Sequence, residues 1–241
     1  MFLYKNKILI TGGSGRFGKI LKEESIKYKF NFLFPKKKIF NILSIKNIEN
    51  YVKKEKPKYL IHLAGFSRPM KAHEEKIWES IDKNIIGTAN VTKICIKYNI
   101  KLIYVSTCYV YPGTKGNYIE SDPLLPSNNY AWSKLGGECS VHMYKNSLIL
   151  RASITEEPFV HKAAFIDFKT NFIFHKDLIK GILNSINLKG VLNVGGKAQT
   201  VYKFAKKYNP NIKKLFAKKI LGKNANLNFS MNVKKFQNIN D

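Results

Sequence analysis

The sequence predicts an α/β fold built on a parallel, doubly wound sheet, and three observations predict it. Short apolar runs alternate with stretches of helical periodicity. A glycine-rich turn joins the first run to the first helix, and the polar motifs fall directly after apolar runs. Such sheets bind ligands at the carboxyl ends of their strands, so the motif positions and the fold class agree.

In order, KILIT (7–11) is a strand, GGSGRFG a turn, and KILKEESIKYKF a helix. FNFLF (30–34) is the second strand. IKNIENYVKKEK is a helix ended by Pro57, and KYLIHLAG is a third strand stopped by glycine. A long helix near 73–98 precedes the strand KLIYVST. A loop rich in Gly, Pro, Ser and Asn (112–129) leads to the helix YAWSKLGGECSVHMYK and the strand SLILRAS. Beyond 152 the pattern loosens: TNFIFHKDLIKGILNSI reads as strand into helix, GVLNVGG as strand, and TVYKFAKKY as helix. Lys218 to Asp241 is polar, Asn-rich and expected to be irregular.

A chain of 241 residues with 44% hydrophobic and 24% charged residues can bury a core, which excludes disorder as its main state. No run of eighteen apolar residues exists, and the N-terminus opens onto glycines rather than a cleavage site, so neither a membrane span nor a leader is expected. Three cysteines without CxxC spacing point to reduced thiols and a cytoplasmic setting, and no metal-ligand spacing appears. The formal charge of +26 would attract anions. The lysines are scattered with abundant Asn and Ile, however, as an A/T-biased coding sequence produces. No basic run is interleaved with aromatics as a base-stacking platform requires, so a nucleic-acid partner is not expected. Only three of the 42 basic residues are arginine (Arg16, Arg68 and Arg151), and each lies within or beside a motif. Arginine's planar fork grips phosphate or carboxylate in a way lysine cannot.

Gly12, Gly15 and Gly18, with Arg16 and Phe17 among them, lie between strand and helix, where a dinucleotide pyrophosphate needs a tight turn and a helix N-terminus. NAD-selective sites carry an acid after the second strand; here Pro35-Lys36-Lys37-Lys38 follows instead, favouring the 2′-phosphate of NADP. The region 1–150 is therefore the expected cofactor domain, with later elements able to return to it, and 151–241 a reduced substrate-binding lobe. Tyr130 and Lys134, four residues apart on one helix face, pair a phenol with an ammonium that favours its anion, the requirement for proton transfer at a carbonyl. Ser106 and Thr107 end the preceding strand and supply a nearby hydroxyl.

These motifs resemble the extended short-chain dehydrogenase/reductase family, in its dTDP-4-dehydrorhamnose reductase-like, sugar-nucleotide-binding branch. The likeness is carried by TGGSGRFG (11–18), HLAG (62–65), Asn84, STCYVYPG (106–113), YAWSKLGGE (130–138), Arg151 and NVGG (193–196). It implies a Rossmann-type sheet and NADP-dependent reduction of a nucleotide-linked 4-keto-6-deoxy sugar for surface polysaccharide synthesis. Tyr130 would be proton donor to the ketone oxygen, Lys134 would tune Tyr130 and hold the nicotinamide ribose, and Thr107 would complete the triad. Leu63, Ala64 and Gly65 would line the cofactor, with Asn41 and Ile42 by the adenine. Arg68, Cys108 and Trp132 are the candidate substrate contacts.

Cys108 replaces the aspartate usual in STDYV. Cys108-Tyr109 also lacks the Asp-Glu pair of dehydratases, which argues against dehydration. The thiol is either an epimerase acid/base or a small buried packing group. Two alternatives stand beside the reductase: a nucleotide-sugar epimerase or epimerase/reductase, and a non-catalytic NADP-binding regulatory subunit. The resemblance also implies a homodimer through the helices near 73–98 and 130–145, which the positive charge opposes. The five histidines are read as packing or surface residues.

Overall fold

The computed structural model describes residues 6–240. Its first half runs β1 (Lys7–Thr11), α1 (Arg16–Glu24), β2 (Asn31–Leu33), α2 (Ile45–Glu55), β3 (Tyr59–His62), α3 (Ala72–Glu75) and α4 (Ile77–Ser80). A π-helical stretch (Ile81–Ile86) then leads to α5 (Gly87–Lys97), β4 (Lys101–Thr107), α6 (Asn129–His142) and β5 (Ser147–Ala152). There follow β6 (Ile154–Thr155), β7 (Ala163–Phe165), β8 (Lys169–Thr170), β9 (Ile173–Phe174), α7 (His175–Asn184) and β10 (Gly190–Val194). The last elements are β11 (Gln199–Thr200), α8 (Val201–Lys206), β12 (Lys213–Leu215), α9 (Ala217–Leu221) and α10 (Lys234–Asn240).

Six strands form the central sheet in the order β10-β5-β4-β3-β1-β2. β1 pairs in parallel with β2 on one side (Ile8↔Phe32) and β3 on the other (Leu9↔Leu60), and β3 pairs in parallel with β4 (Ile61↔Ile103). Strand order therefore reverses between β1 and β3, the place where such sheets open a ligand crevice. Ile8, Leu9, Ile10, Leu60, Ile61, Leu102 and Ile103 are fully buried, which is why these strands read as unbroken apolar runs rather than alternating ones. Leu9, Leu60 and Leu102 pack with Ile48 and Val52 of α2 and Val91, Ile94 and Cys95 of α5.

The chain gathers into two compact units. The first holds residues up to Ser106, Asn128–Leu150 and Ile186–Val191. The second holds Thr107–Ser127, Arg151–Ser185 and the residues from Leu192 on. Neither is one continuous stretch: Ile186–Val191 returns to the first unit, and Thr107–Ser127 belongs to the second.

The helix expected near 73–98 is broken into four pieces. Lys76 leaves helical geometry (φ −128°, ψ 55°) between α3 and α4, and the π-helical turn that follows widens the backbone around the buried Asn84. Within the second unit, buried amides join distant segments. Asn171 Oδ1 accepts from the Met231 N–H at 2.6 Å while its Nδ2 donates to the Gly196 carbonyl at 2.8 Å. Asn193 accepts from the Tyr111 hydroxyl at 2.8 Å and donates to the Tyr118 carbonyl at 2.8 Å. The C-terminal stretch expected to be irregular thus has fixed partners, and it closes with α10. A Cβ at Gly181 on α7 would lie 2.4 Å from the Phe236 ring of α10, so glycine there permits the close packing.

Leu60→Ala, at the centre of the sheet, is expected to destabilise the chain by about 2–5 kcal/mol, read as a lower urea midpoint at unchanged m-value.

Candidate active site

In the first unit, the turn after β1 is set by close backbone approach. Gly12 has φ +72°, and a Cβ there would lie 2.7 Å from the Ala64 nitrogen and 2.9 Å from the Leu63 carbonyl carbon. A Cβ at Gly18 would lie 2.3 Å from the Gly12 oxygen, so α1 can start only where glycine stands. Gly15 is the N-cap of α1, its N–H donates to the Gly12 carbonyl at 2.9 Å, and no side chain caps the helix. With Arg16 and Phe17 opening α1 and no acid in its first turn, the positive end of the helix dipole is directed at this turn without a carboxylate to neutralise it.

The turn after β3 is held by a buried hydrogen-bond chain. Thr11 Oγ1 accepts from the backbone N–H of Leu63 (3.1 Å) and of Ala64 (3.0 Å), so its own proton goes to His62 Nδ1 at 2.7 Å. His62 is therefore the Nε2–H tautomer, donating to Thr88 Oγ1 at 3.1 Å. The Tyr104 ring stacks on His62, centres 5.7 Å apart, and its hydroxyl donates to the Lys134 carbonyl at 3.3 Å. Burial, then the nearby positive charge of Lys134, lowers the His62 pKa to about 3, which keeps the ring neutral.

Tyr130 and Lys134 occupy successive turns of α6, which starts at the N-cap Asn128, whose side chain accepts from the Ala131 N–H at 2.9 Å. The Lys134 ammonium lies 4.1 Å from the centre of the Tyr104 ring. Burial lowers its pKa to about 7, with Glu138 pulling the other way. A Cβ at Gly137 would lie 2.5 Å from the Tyr104 hydroxyl, so the small residue lets α6 rest directly on β4. The Tyr130 ring is tilted against His73, centres 5.1 Å apart, and its carbonyl accepts from the Ser133 hydroxyl at 2.7 Å. Asn84, on the π-helical stretch, donates to Ser133 Oγ and to the Phe66 carbonyl, both at 2.8 Å, and accepts from the Phe66 N–H at 2.6 Å. His73 and Thr88 are the residues sequence reading missed here. Neither has a local signature, since each meets its partner only through the fold.

The remaining predicted residues fall as follows. Lys36 is exposed beyond β2, with no carboxylate from Asn31 to Leu43. Asn41 Oδ1 accepts from the Leu43 N–H, and Ile42 packs on Gly87 at the start of α5. Gly65 is needed because a Cβ would lie 2.7 Å from Asn84 Oδ1. Arg68 and Trp132 are exposed in the first unit.

In the second unit Thr107, the last residue of β4, is buried and accepts from the Tyr109 N–H at 3.3 Å. Cys108 is buried, with Sγ 3.9 Å from Thr170 Oγ1. Burial pushes its pKa up to about 11, which makes it a neutral thiol at physiological pH. Arg151 is buried and donates to the Tyr111 hydroxyl (2.9 Å) and the Glu120 carbonyl (3.0 Å), so this arginine is a structural tie. Among the described residues no group of three His, Cys, Asp or Glu side chains is placed to hold a metal.

The first unit fits a dinucleotide: a glycine cradle without room for a Cβ at Gly12 or Gly18, an uncapped helix start, and a buried Ser106 hydroxyl without a protein partner at the end of β4. The family model described as "RmlD substrate binding domain" matches residues 6–158. The chain belongs to this family. A dTDP-D-glucose 4,6-dehydratase of Dictyostelium discoideum is 32% identical over 64% of this chain and 43% of its own length. A methionine adenosyltransferase 2 subunit beta of Xenopus tropicalis is 28% identical over 61% and 46%. A dTDP-4-dehydrorhamnose reductase of Aggregatibacter actinomycetemcomitans is 29% identical over 62% and 51%. The matched region thus spans about half the length of these curated relatives. In fold, the chain is similar to the dTDP-4-dehydrorhamnose reductase of Bacillus anthracis in complex with NADP, with a TM-score of 0.85 and 23% identity over 97% of this chain and 91% of that one.

The His62 assignment has a measurable consequence. Between pH 6.5 and about 3 the unfolded chain holds a proton on this ring that the folded chain refuses, so stability falls as the pH drops through that window, by up to about 1.4 kcal/mol per unit. His62→Gln removes this contribution. Urea unfolding of both proteins across the window should show the wild type losing stability more steeply; parallel slopes would show that His62 is not held neutral.

Proposed function

We propose that this protein reduces a nucleotide-linked 4-keto-6-deoxy sugar with NADPH. The observation that carries the reading is the Tyr130–Lys134 pair on α6, with Lys134 buried over Tyr104 in the same unit as the glycine cradle. Gly12, Gly15, Arg16, Phe17 and Gly18 hold the pyrophosphate on the start of α1. Lys36 meets the 2′-phosphate, Asn41 and Ile42 the adenine, and Leu63, Ala64 and Gly65 line the cofactor. Bound NADPH supplies hydride to the sugar ketone. Tyr130 gives its phenolic proton to the ketone oxygen as negative charge develops there. Lys134, whose ammonium and neutral forms are close in energy near pH 7, stabilises the phenolate left on Tyr130 and holds the nicotinamide ribose. Thr107 is assigned the second hydrogen bond to the ketone oxygen from its place in the STCYVYPG motif. Arg68 and Trp132 are the assigned sugar-nucleotide contacts. Cys108, a high-pKa thiol, is a weak candidate for acid/base work, which favours reduction over epimerisation.

The second reading, a cofactor-binding regulatory subunit, is favoured by the similarity to the methionine adenosyltransferase 2 subunit beta of Xenopus tropicalis. The two separate on one assay: NADPH and NADH oxidation against a panel of nucleotide-linked 4-keto-6-deoxy sugars. Turnover with NADPH that falls by at least about a hundredfold in Tyr130→Phe, with NADPH binding retained, is the expected result. NADPH binding without turnover on any sugar in the panel moves the regulatory reading ahead.

Self-association belongs to the same reading. On the α4 and π-helical surface Ile77, Trp78, Ile81 and Ile86 are 43–63% exposed, an apolar face in keeping with pairing of two chains. Analytical ultracentrifugation should show a dimer that Trp78→Glu converts to monomer; a monomeric wild type would remove the pairing.

A further inference from the structure

Charge is distributed unevenly along this chain. Fifteen of its 16 acidic residues precede residue 178, and between Asp177 and Asp241 there are thirteen lysines and no carboxylate side chain. A general enrichment in lysine does not by itself empty the same stretch of acids. In the second unit much of this charge surrounds exposed apolar side chains. Lys203, Lys206 and Lys207 on α8 line a shallow hollow with Tyr202. Lys206 and Lys214, the latter from β12, place their ammonium groups 5.8 and 5.6 Å from the centre of the Tyr202 ring, so α8 and β12 share one surface.

One residue beyond β12, Phe216 (48% exposed) lies under the Lys219 ammonium at 5.2 Å. On α9, Ile220 (60%) and Leu221 (54%) stand open to solvent among Lys218, Lys219 and Lys223. The acid that faces this segment, Asp167, accepts from the backbone N–H groups of Ala217 (2.7 Å) and Lys218 (3.1 Å), so its charge is engaged by the start of α9.

Two polyanions could answer the lysines. A nucleic acid would reward the rings but gains nothing from two exposed aliphatic side chains beside them, because bases stack on aromatic faces. An anionic lipid surface rewards both: phosphate headgroups meet the ammonium groups, and Phe216, Ile220 and Leu221 enter the boundary between headgroups and acyl chains. We propose that the α8–α9 face of the second unit docks on an anionic lipid surface. Docking here is peripheral and reversible, since one short helix and the Phe216 before it offer only three apolar side chains to insert. It is independent of the reductase reading, because no residue of the proposed active site takes part.

The test is co-sedimentation of the full chain with phosphatidylglycerol vesicles and, separately, with phosphatidylcholine vesicles. The expected result is binding to the anionic vesicles only, weakened by salt. Two variants dissect it: Ile220→Ser with Leu221→Ser removes insertion, and Lys206→Glu with Lys214→Glu removes charge. Each should reduce vesicle partitioning by about tenfold or more while the thermal melt and NADPH binding stay at wild-type values. Equal binding to both vesicle types, or unchanged partitioning of the serine variant, overturns the proposal. So does tight, salt-sensitive binding to single-stranded oligonucleotides without binding to vesicles.

Discussion

The contact on which the first unit depends is the approach of two backbone turns, one after β1 and one after β3, at the reversal of strand order. Gly12 and Ala64 come so close that no side chain fits between them, and Thr11 fixes the distance by accepting both N–H groups of the β3 turn. The proton Thr11 then gives to His62 sets that ring's tautomer; the ring donates to Thr88 and stacks on Tyr104, whose hydroxyl donates to the backbone of α6. The glycine cradle and the helix bearing Tyr130 and Lys134 are therefore linked by one buried chain of hydrogen bonds and a ring stack through His62 and Tyr104. Such a chain in an apolar interior is strong when every member is satisfied and costly when one is not.

The same interior governs the charges. His62 and Lys134 are both buried bases, and burial pushes both toward the neutral form; the charge of Lys134 makes the His62 proton harder still to hold. The hydrogen bonds to Thr11 and Thr88 use the neutral imidazole, so His62 resolves the conflict by staying neutral. Lys134 is left balanced between its two forms near pH 7, with Glu138 and the Tyr104 ring supporting the ammonium. A lysine so balanced is suited to helping a neighbouring phenol exchange a proton.

Much of this was legible in the sequence, because the sheet strands are buried on both faces and announce themselves as apolar runs, and because glycines forced by backbone contact cannot drift. The spacing of Tyr130 and Lys134 needs only helical geometry. What escaped was non-local. His73 reaches Tyr130 across 57 positions, and Thr88 reaches His62 across 26, without a pattern in either segment. The broken helix escaped because a π-helical turn shifts the apolar repeat too little to be noticed in a run that already contains Ile77, Ile81, Ile85 and Ile86. The fixed C-terminal stretch escaped because its partners lie far upstream: its Asn232 carbonyl accepts from the Asn193 amide, and its Met231 N–H donates to Asn171.

That last arrangement bears on how the chain is made. A ribosome releases Asn171 and Asn193 well before Met231 and Asn232, and until those later residues emerge two amide side chains destined for an apolar interior lack part of their bonding. The first unit waits less: apart from Ile186–Val191, all of its segments are released by residue 150. Synthesis from the N-terminus therefore favours an order in which the cofactor cradle can close early while the buried amides of the second unit wait for Met231 and Asn232.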